Sequence, residues 1–271
     1  MASNEITVID NALELKTFGY TILESCIDAK YADETIKDLL TEYKSALPLP
    51  WRGGGKWFGH INYIPSPQRK IIKEIIANNR IKKVLDCALG EDYKIVAFVG
   101  NANLPNSMYQ PAHVDGSMGT DFLVVNIPLG RVTEHNGSTE VWPKTHLEKL
   151  SFSKFNALYN QSVRLNSLPG DIVIRYPNLW HRGTPNNSQE IRFMLGIIVS
   201  RTYKNLPPVM INKDEQVELL NYGISIHTEM GIEIKRGFIP NYFKPNLKGN
   251  IKELTWAFVP GIFKAMQRMK S

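Results

Sequence analysis

Two hydrophobic rhythms divide the chain. Through the first ninety residues the apolar positions recur every three to four residues. Between Asp28 and Leu47, Ile36, Leu39, Leu40 and Tyr43 share one helical face, and Asp28 precedes them as a cap. Between Ser66 and Gly90 the pairs Ile71/Ile72, Ile75/Ile76 and Val84/Leu85 predict two short helices that stop at Gly90. The intervening stretch, residues 47–67, is rich in Gly, Pro and Trp and predicts an irregular loop. From residue 92 the rhythm changes to short β-branched runs punctuated by Gly, Pro, Asn and Asp. Residues 93–100, 107–115, 122–129, 138–142, 162–168, 171–176 and 191–200 each predict a strand. Closely spaced strands of this kind predict a sandwich or barrel, not βαβ units.

The chain is therefore expected to be a single domain over residues 1–271. Flanking helices and a lid loop occupy 1–90, the β core 91–200 and a C-terminal extension 201–271. In that extension Leu254, Phe258, Ile262 and Met266 follow a helical spacing with basic residues between. This predicts an amphipathic helix, bent or delayed by Pro260, docked by default on its own domain, with a second subunit or a membrane surface as the alternatives.

Composition narrows the class. The 271 residues are 43% apolar and 21% charged, ordinary for a globular protein. The net charge of +6 is scattered, with no basic block or nucleic-acid motif, so nucleic acid is not an expected partner. Two cysteines, Cys26 and Cys87, stand outside any metal-spaced pair and fit a cytoplasmic protein. No apolar run approaches the ~20 residues that span a bilayer, and the N-terminus lacks a signal-peptide core. A monomer or homodimer acting on a small-molecule metabolite is expected. The Gly55-Lys56 pair is not a phosphate loop, because Trp57 follows where Ser or Thr is required. The stretch is better read as a flap in which Arg52, Lys56, Trp57 and His60 close on a substrate.

The candidate chemistry lies in the β region. Residues i and i+2 of a strand point the same way, so His113 and Asp115 can offer a nitrogen and an oxygen to one point. His181, opening the element after the run Gly170–Tyr176, can supply a third donor from a neighbouring strand. Two imidazoles and one carboxylate on one face of an octahedron is the donor set of non-haem Fe(II), with three positions open. Zinc would tend to a closed tetrahedron or a single open site. Arg192 heads the last core strand. A cation facing into an apolar barrel needs an anion, and a dicarboxylic cosubstrate would supply one. Each residue alone has a plainer reading. His113 and Asp115 could be a surface hydrogen-bonded pair, His181 a structural histidine beside Trp180, and Arg192 a surface cation. Their order within the β region is what points to a metal site.

The sequence resembles the phytanoyl-CoA dioxygenase (PhyH)-like family of Fe(II)/2-oxoglutarate-dependent oxygenases. The likeness runs from residue 12 to about 200. It is carried by the opening around Phe18-Gly19-Tyr20, the helix ending at Leu89-Gly90, and His113-Val114-Asp115. It continues through Asn136, Gly137, Thr139, Pro143 and His146, and through the run from Pro169 to Phe193 that holds His181 and Arg192. The resemblance implies a mainly β fold with flanking helices around a double-stranded β-helix core of the jelly-roll, cupin-like type. It implies His113, Asp115 and His181 as iron ligands, Arg192 on the far carboxylate of 2-oxoglutarate, and Thr139 beside that carboxylate. Gln110 and Asn126 are candidates to help hold the cosubstrate. Arg52, Lys56, Trp57, His60 and Trp180 are candidates to contact substrate. The implied activity is an Fe(II)- and O2-dependent dioxygenase that hydroxylates a C–H bond and releases succinate and CO2. A non-catalytic metal- or carboxylate-binding β-barrel, or a cupin-like metal isomerase or hydrolase, are the alternatives. Two departures stand out. Gly183 replaces a serine that many relatives place two residues after the distal histidine, leaving Thr184 as a substitute, and Lys144 is unusual in its segment. The intact Asp115 argues for hydroxylation over halogenation.

Overall fold

The computed structural model describes residues 2–46, 59–65, 68–110, 112–115 and 121–201, with short strands at 210–211, 217–218 and 237–238. Arg52, Lys56, Trp57, the 116–120 loop, Tyr203, Tyr222 and the expected C-terminal amphipathic helix lie outside the described residues.

Helices come first. α1 (Ala2–Phe18) leads through β1 (Tyr20–Leu23) into α2 (Lys30–Ala46). Asp28 caps α2 as its position predicts, accepting from the Lys30 N–H at 2.9 Å. α3 (Lys70–Ala77) and α4 (Asn79–Leu89) are the two short helices. Asn78 divides them, its side chain accepting from the N–H groups of Arg80 and Ile81. Only residues 59–65 of the expected loop at 47–67 are described, and they are not irregular. They contain strand β2 (His60–Ile64), which pairs antiparallel with β3 (Lys94–Asn103). The Gly and Pro content concealed a strand whose partner lies forty residues on.

The remaining core strands are β4 (Phe122–Pro128), β5 (Thr139–Val141), β6 (Val163–Leu165), β7 (Ile172–Arg175), β8 (His181–Arg182) and β9 (Arg192–Ser200). A short helix α5 (Phe152–Ala157) sits between β5 and β6. Two short strands, β10 (Met210–Ile211) and β11 (Val217–Glu218), pair with each other, and β12 (Gly237–Phe238) adds to β2. The larger sheet runs β1-β7-β4-β9-β3-β2-β12 and the smaller β6-β5-β8. No helix of the described residues is long and apolar enough to cross a membrane.

Period-two alternation decides what each strand buries. On β4, Leu123, Val125 and Ile127 face the helices; on β9, Phe193, Leu195, Ile197 and Val199 do the same. They pack with Leu15, Leu39, Ile71, Ile72, Ile75, Val84 and Leu85 into one core. The opposite face of the large sheet meets the small one, where Val173 packs with Val141, Leu165 and Leu179. The result is the double-stranded β-helix with flanking helices.

Candidate metal centre

The described residues of the 107–115 stretch do not form a regular strand. Among them the pairing to β8 is an isolated bridge between His113 and His181. That bridge is tight, with N–H to O=C bonds of 2.9 Å in both directions. The Asp115 N–H then donates to the Pro177 carbonyl at 2.7 Å. Two residues on an irregular segment are thus locked beside the two-residue strand β8.

The three expected ligands converge. One donor atom from each of His113, Asp115 and His181 lies within 4.8 Å of the others. His113 Nε2 is 3.7 Å from Asp115 Oδ1, and His181 Nε2 is 3.4 Å from Asp115 Oδ2. Cis ligands at about 2.1 Å from one ion stand ~3 Å apart, so small side-chain shifts would close the set on a cation. The protonation pattern fits. His181 Nδ1 lies 2.9 Å from the Leu179 carbonyl, which can only accept, so Nδ1 carries the proton. That leaves His181 Nε2 to face the Asp115 carboxylate. His181 is buried, whereas the His113 and Asp115 side chains are 41% and 37% exposed. The centre therefore opens on the His113–Asp115 side.

Burial works against ionisation of Asp115, but the Arg175 guanidinium, helped by both imidazoles, outweighs it and holds the carboxyl well below the usual carboxylate range. The carboxylate therefore carries its charge at neutral pH. Arg175 was not among the residues picked out from the sequence. It donates from Nη2 to Asp115 Oδ2 at 2.5 Å and from Nε to Asn126 Oδ1 at 3.2 Å. A signal existed, since alternation along Ile172-Val173-Ile174-Arg175 sends an arginine inward beside Val173.

Arg192 begins β9 on the inner face, 7% exposed, and donates from Nη2 to the Gly137 carbonyl at 3.0 Å. Strand register puts it on one rung with Asn103 and His60. His60 is accordingly a buried β2 residue rather than part of a loop. Its Nε2 lies 2.9 Å from the Met108 carbonyl. Burial, with Arg192 nearby, pushes its imidazole down to about 4, so it stays neutral beside that arginine. The unfolded chain takes up a proton near pH 6.5 that folded His60 refuses until about pH 4. Folding stability is therefore expected to fall by up to about 3 kcal/mol as pH drops through that window. Denaturant titrations at pH 7 and pH 4.5 check it, and His60→Gln should flatten the difference.

Gly183 is explained by the same histidine. A Cβ there would sit 2.6 Å from His60 Cε1 and 2.7 Å from Gln110 Oε1. The serine of many relatives has no room. Gly183→Ala is expected to cost about 2 kcal/mol in thermal or denaturant unfolding, and a second change, His60→Ala, to recover part of it. Thr184 is committed elsewhere, donating to the Ser138 carbonyl at 2.8 Å and accepting from Arg164. Gly137 is equally constrained: its φ is +87° and a Cβ would collide with Asn103 and the Thr184 carbonyl.

The other candidates separate. Gln110 is bonded in both directions to Gly183, through its N–H and its Oε1. Asn126 accepts from Arg175. Thr139 opens β5, half-buried, in register with Leu165. Trp180 stacks on Phe155 with ring centroids 3.9 Å apart, in the cluster around Trp142. Lys144 is exposed with its Nζ 5.9 Å from the Phe18 ring centroid, at the end of α1.

Comparison with known proteins agrees with this picture. Solved structures sharing the fold include SnoN, a non-heme α-ketoglutarate-dependent epimerase from nogalamycin biosynthesis, in complex with Fe3+, α-ketoglutarate and nogalamycin RO. It is 17% identical, with a TM-score of 0.58 over 72% of this chain and 84% of that one. The carbocyclase SnoK of the same biosynthesis is 13% identical, with a TM-score of 0.56 over 70% and 83% of the two chains. AviO1 from Streptomyces viridochromogenes Tue57 is 14% identical, with a TM-score of 0.58 over 74% and 96%. The model of the phytanoyl-CoA dioxygenase (PhyH) family matches residues 68–194, a narrower stretch than the likeness read from residue 12 onward. That stretch, a little under half of the chain, contains all three converging donors and Arg192.

Proposed function

We propose that this protein is an Fe(II)/2-oxoglutarate-dependent oxygenase that hydroxylates a C–H bond of a small-molecule metabolite. The observation that carries the reading is the convergence of His113, Asp115 and His181 on one point. Two nitrogens and one oxygen suit ferrous iron and leave half of an octahedron open. The family match, and a similarly folded epimerase whose complex contains iron and α-ketoglutarate, support the choice of metal and cosubstrate.

Bound iron, with 2-oxoglutarate and O2, would supply the oxidising power for C–H cleavage, yielding succinate and CO2. The protein's share is geometry, charge and shielding. His113, Asp115 and His181 hold the ion, and the His181–Leu179 hydrogen bond sets the ring's orientation. Arg192 receives the far carboxylate of 2-oxoglutarate as a two-pronged donor, with Thr139 as a candidate neighbour. Neutral His60 fills the space beside Arg192 without adding a competing charge. The bonding of Gln110 favours a structural role in holding the backbone next to His181. Trp180, stacked in its cluster, is better read as packing than as a substrate contact. Substrate enters over the exposed edge of His113 and Asp115.

Epimerase and carbocyclase chemistry among proteins of the same fold favours a second reading, in which C–H cleavage is followed by inversion or ring closure without oxygen insertion. One assay addresses both. The enzyme is incubated with Fe(II), 2-oxoglutarate, 18O2 and a panel of acyl, amino-acid, glycan and secondary-metabolite substrates. Succinate release coupled to substrate consumption is expected. 18O in the product supports hydroxylation, while an unlabelled rearranged product supports the second reading. Absence of succinate across the panel, together with 2-oxoglutarate affinity unaffected by Arg192→Ala, would favour a metal isomerase or hydrolase.

A further inference from the structure

Arg175 has no part in the chemistry outlined above, yet it touches the metal-ligand carboxylate. It is 6% exposed and lies on a strand whose other residues are all apolar. Burying a guanidinium there is costly unless it is paired. Its bonds are specific. Nη2 meets one oxygen of Asp115, Oδ2, at 2.5 Å, and Nε meets Asn126 Oδ1 at 3.2 Å. Asn126 projects from β4, which pairs with β7 so that Val124 faces Arg175. The guanidinium is therefore braced from a neighbouring strand, not merely attracted to the carboxylate.

We propose that Arg175 is a positioning residue that makes Asp115 a one-oxygen ligand. The inference rests on the metal reading given above. A carboxylate can fill one or two positions on a metal ion. With His113 and His181 taking one each, a one-oxygen Asp115 leaves three positions of an octahedron open, and a two-oxygen Asp115 leaves two. A chelating keto acid fills two, so only the first arrangement leaves a place for O2. Oδ2, engaged by a charged N–H at 2.5 Å, is a poor metal donor, while Oδ1 remains on the His113 side, 3.7 Å from its Nε2. The same contact draws charge from the carboxylate and fixes its plane. Lysine could supply the charge as a point donor but not the second arm to Asn126.

The full-length protein loaded with Co(II) under anaerobic conditions tests this, because the ligand-field spectrum of Co(II) reports coordination number and donor set. Wild type, Arg175→Met and Arg175→Lys are compared by visible absorption and by 2-oxoglutarate titration. Arg175→Met should bind Co(II) with an altered spectrum and bind 2-oxoglutarate at least tenfold more weakly. Arg175→Lys, which keeps the charge but loses the arm to Asn126, should restore the spectrum only in part. If Arg175→Met matches wild type in spectrum, and in 2-oxoglutarate affinity within twofold, Arg175 is merely structural and the proposal is overturned. Should Arg175→Met not fold, Asn126→Ala removes only the brace. It should shift the spectrum in the same direction, and an unchanged spectrum overturns the proposal. Wild-type protein that fails to bind Co(II) or 2-oxoglutarate contradicts the functional reading itself, a result distinct from a wild-type-like Arg175→Met.

Discussion

Asp115→Ala is expected to abolish metal binding and also to weaken the metal-free fold. The first effect follows from losing one of three ligands. The second follows from Arg175, whose side chain is only 8% exposed and which loses its anionic partner. Breaking a buried ion pair by removing one member typically costs about 3–5 kcal/mol. Asp115 retains about a third of its exposure, so water can partly replace it, and a loss on the order of 2 kcal/mol is expected after that discount. For a chain of this size that is a fall of about 5 °C in Tm. His181→Ala should remove the metal while leaving the Asp115–Arg175 pair intact. Thermal unfolding of the metal-free proteins separates the two effects. Adding Arg175→Met to Asp115→Ala should recover stability, because the orphaned charge goes with it. If Asp115→Ala leaves the metal-free Tm unchanged, the pair contributes nothing to the fold.

Arg192→Ala is expected to weaken 2-oxoglutarate binding by about a hundredfold with little effect on metal affinity. A charge-assisted bond contributes roughly 1.5–3 kcal/mol, and a bidentate guanidinium–carboxylate contact stands at the upper end. Each 1.4 kcal/mol is a factor of ten. Arg192→Lys should fall between, since an ammonium keeps the charge and loses the fork. Calorimetric titration of 2-oxoglutarate into Mn(II)- or Co(II)-loaded protein measures this directly. Unchanged affinity in Arg192→Ala would remove the case for a dicarboxylate cosubstrate.

Much of the fold could be read from the sequence because one periodicity dominated each half. The pairs Ile71/Ile72 and Ile75/Ile76 mark a helix face, and β4, β7 and β9 are apolar runs buried along most of their length. Strand β2 was hidden because His60–Ile64 is short and flanked by Gly and Pro, and its register is set by β3. The strand expected at 107–115 failed for a different reason: its residues favour extended backbone, but the described part is held only by a two-bond bridge to His181 and by bonds to Gly183 and Pro177 in place of a continuous ladder. At the site, His113, Asp115 and His181 were legible from residue type and order alone. Arg175 was not, although the reasoning that drew attention to Arg192 applies to it equally. Both are cations on strands whose other face is buried. Gly183 shows a third kind of limit. Its need for a missing Cβ arises from His60 and Gln110, distant in sequence and adjacent only after folding.

The central claim is that His113, Asp115 and His181 grip one ferrous ion and leave adjacent positions open for a chelating keto acid. The direct test is an anaerobic titration of the metal-free protein with Fe(II) in the presence of 2-oxoglutarate, followed by visible absorption. A metal-to-ligand charge-transfer band that saturates at one equivalent of iron, and is absent from His181→Ala, is the expected result. A protein that develops no such band, or a His181→Ala variant that develops it undiminished, would contradict the assignment.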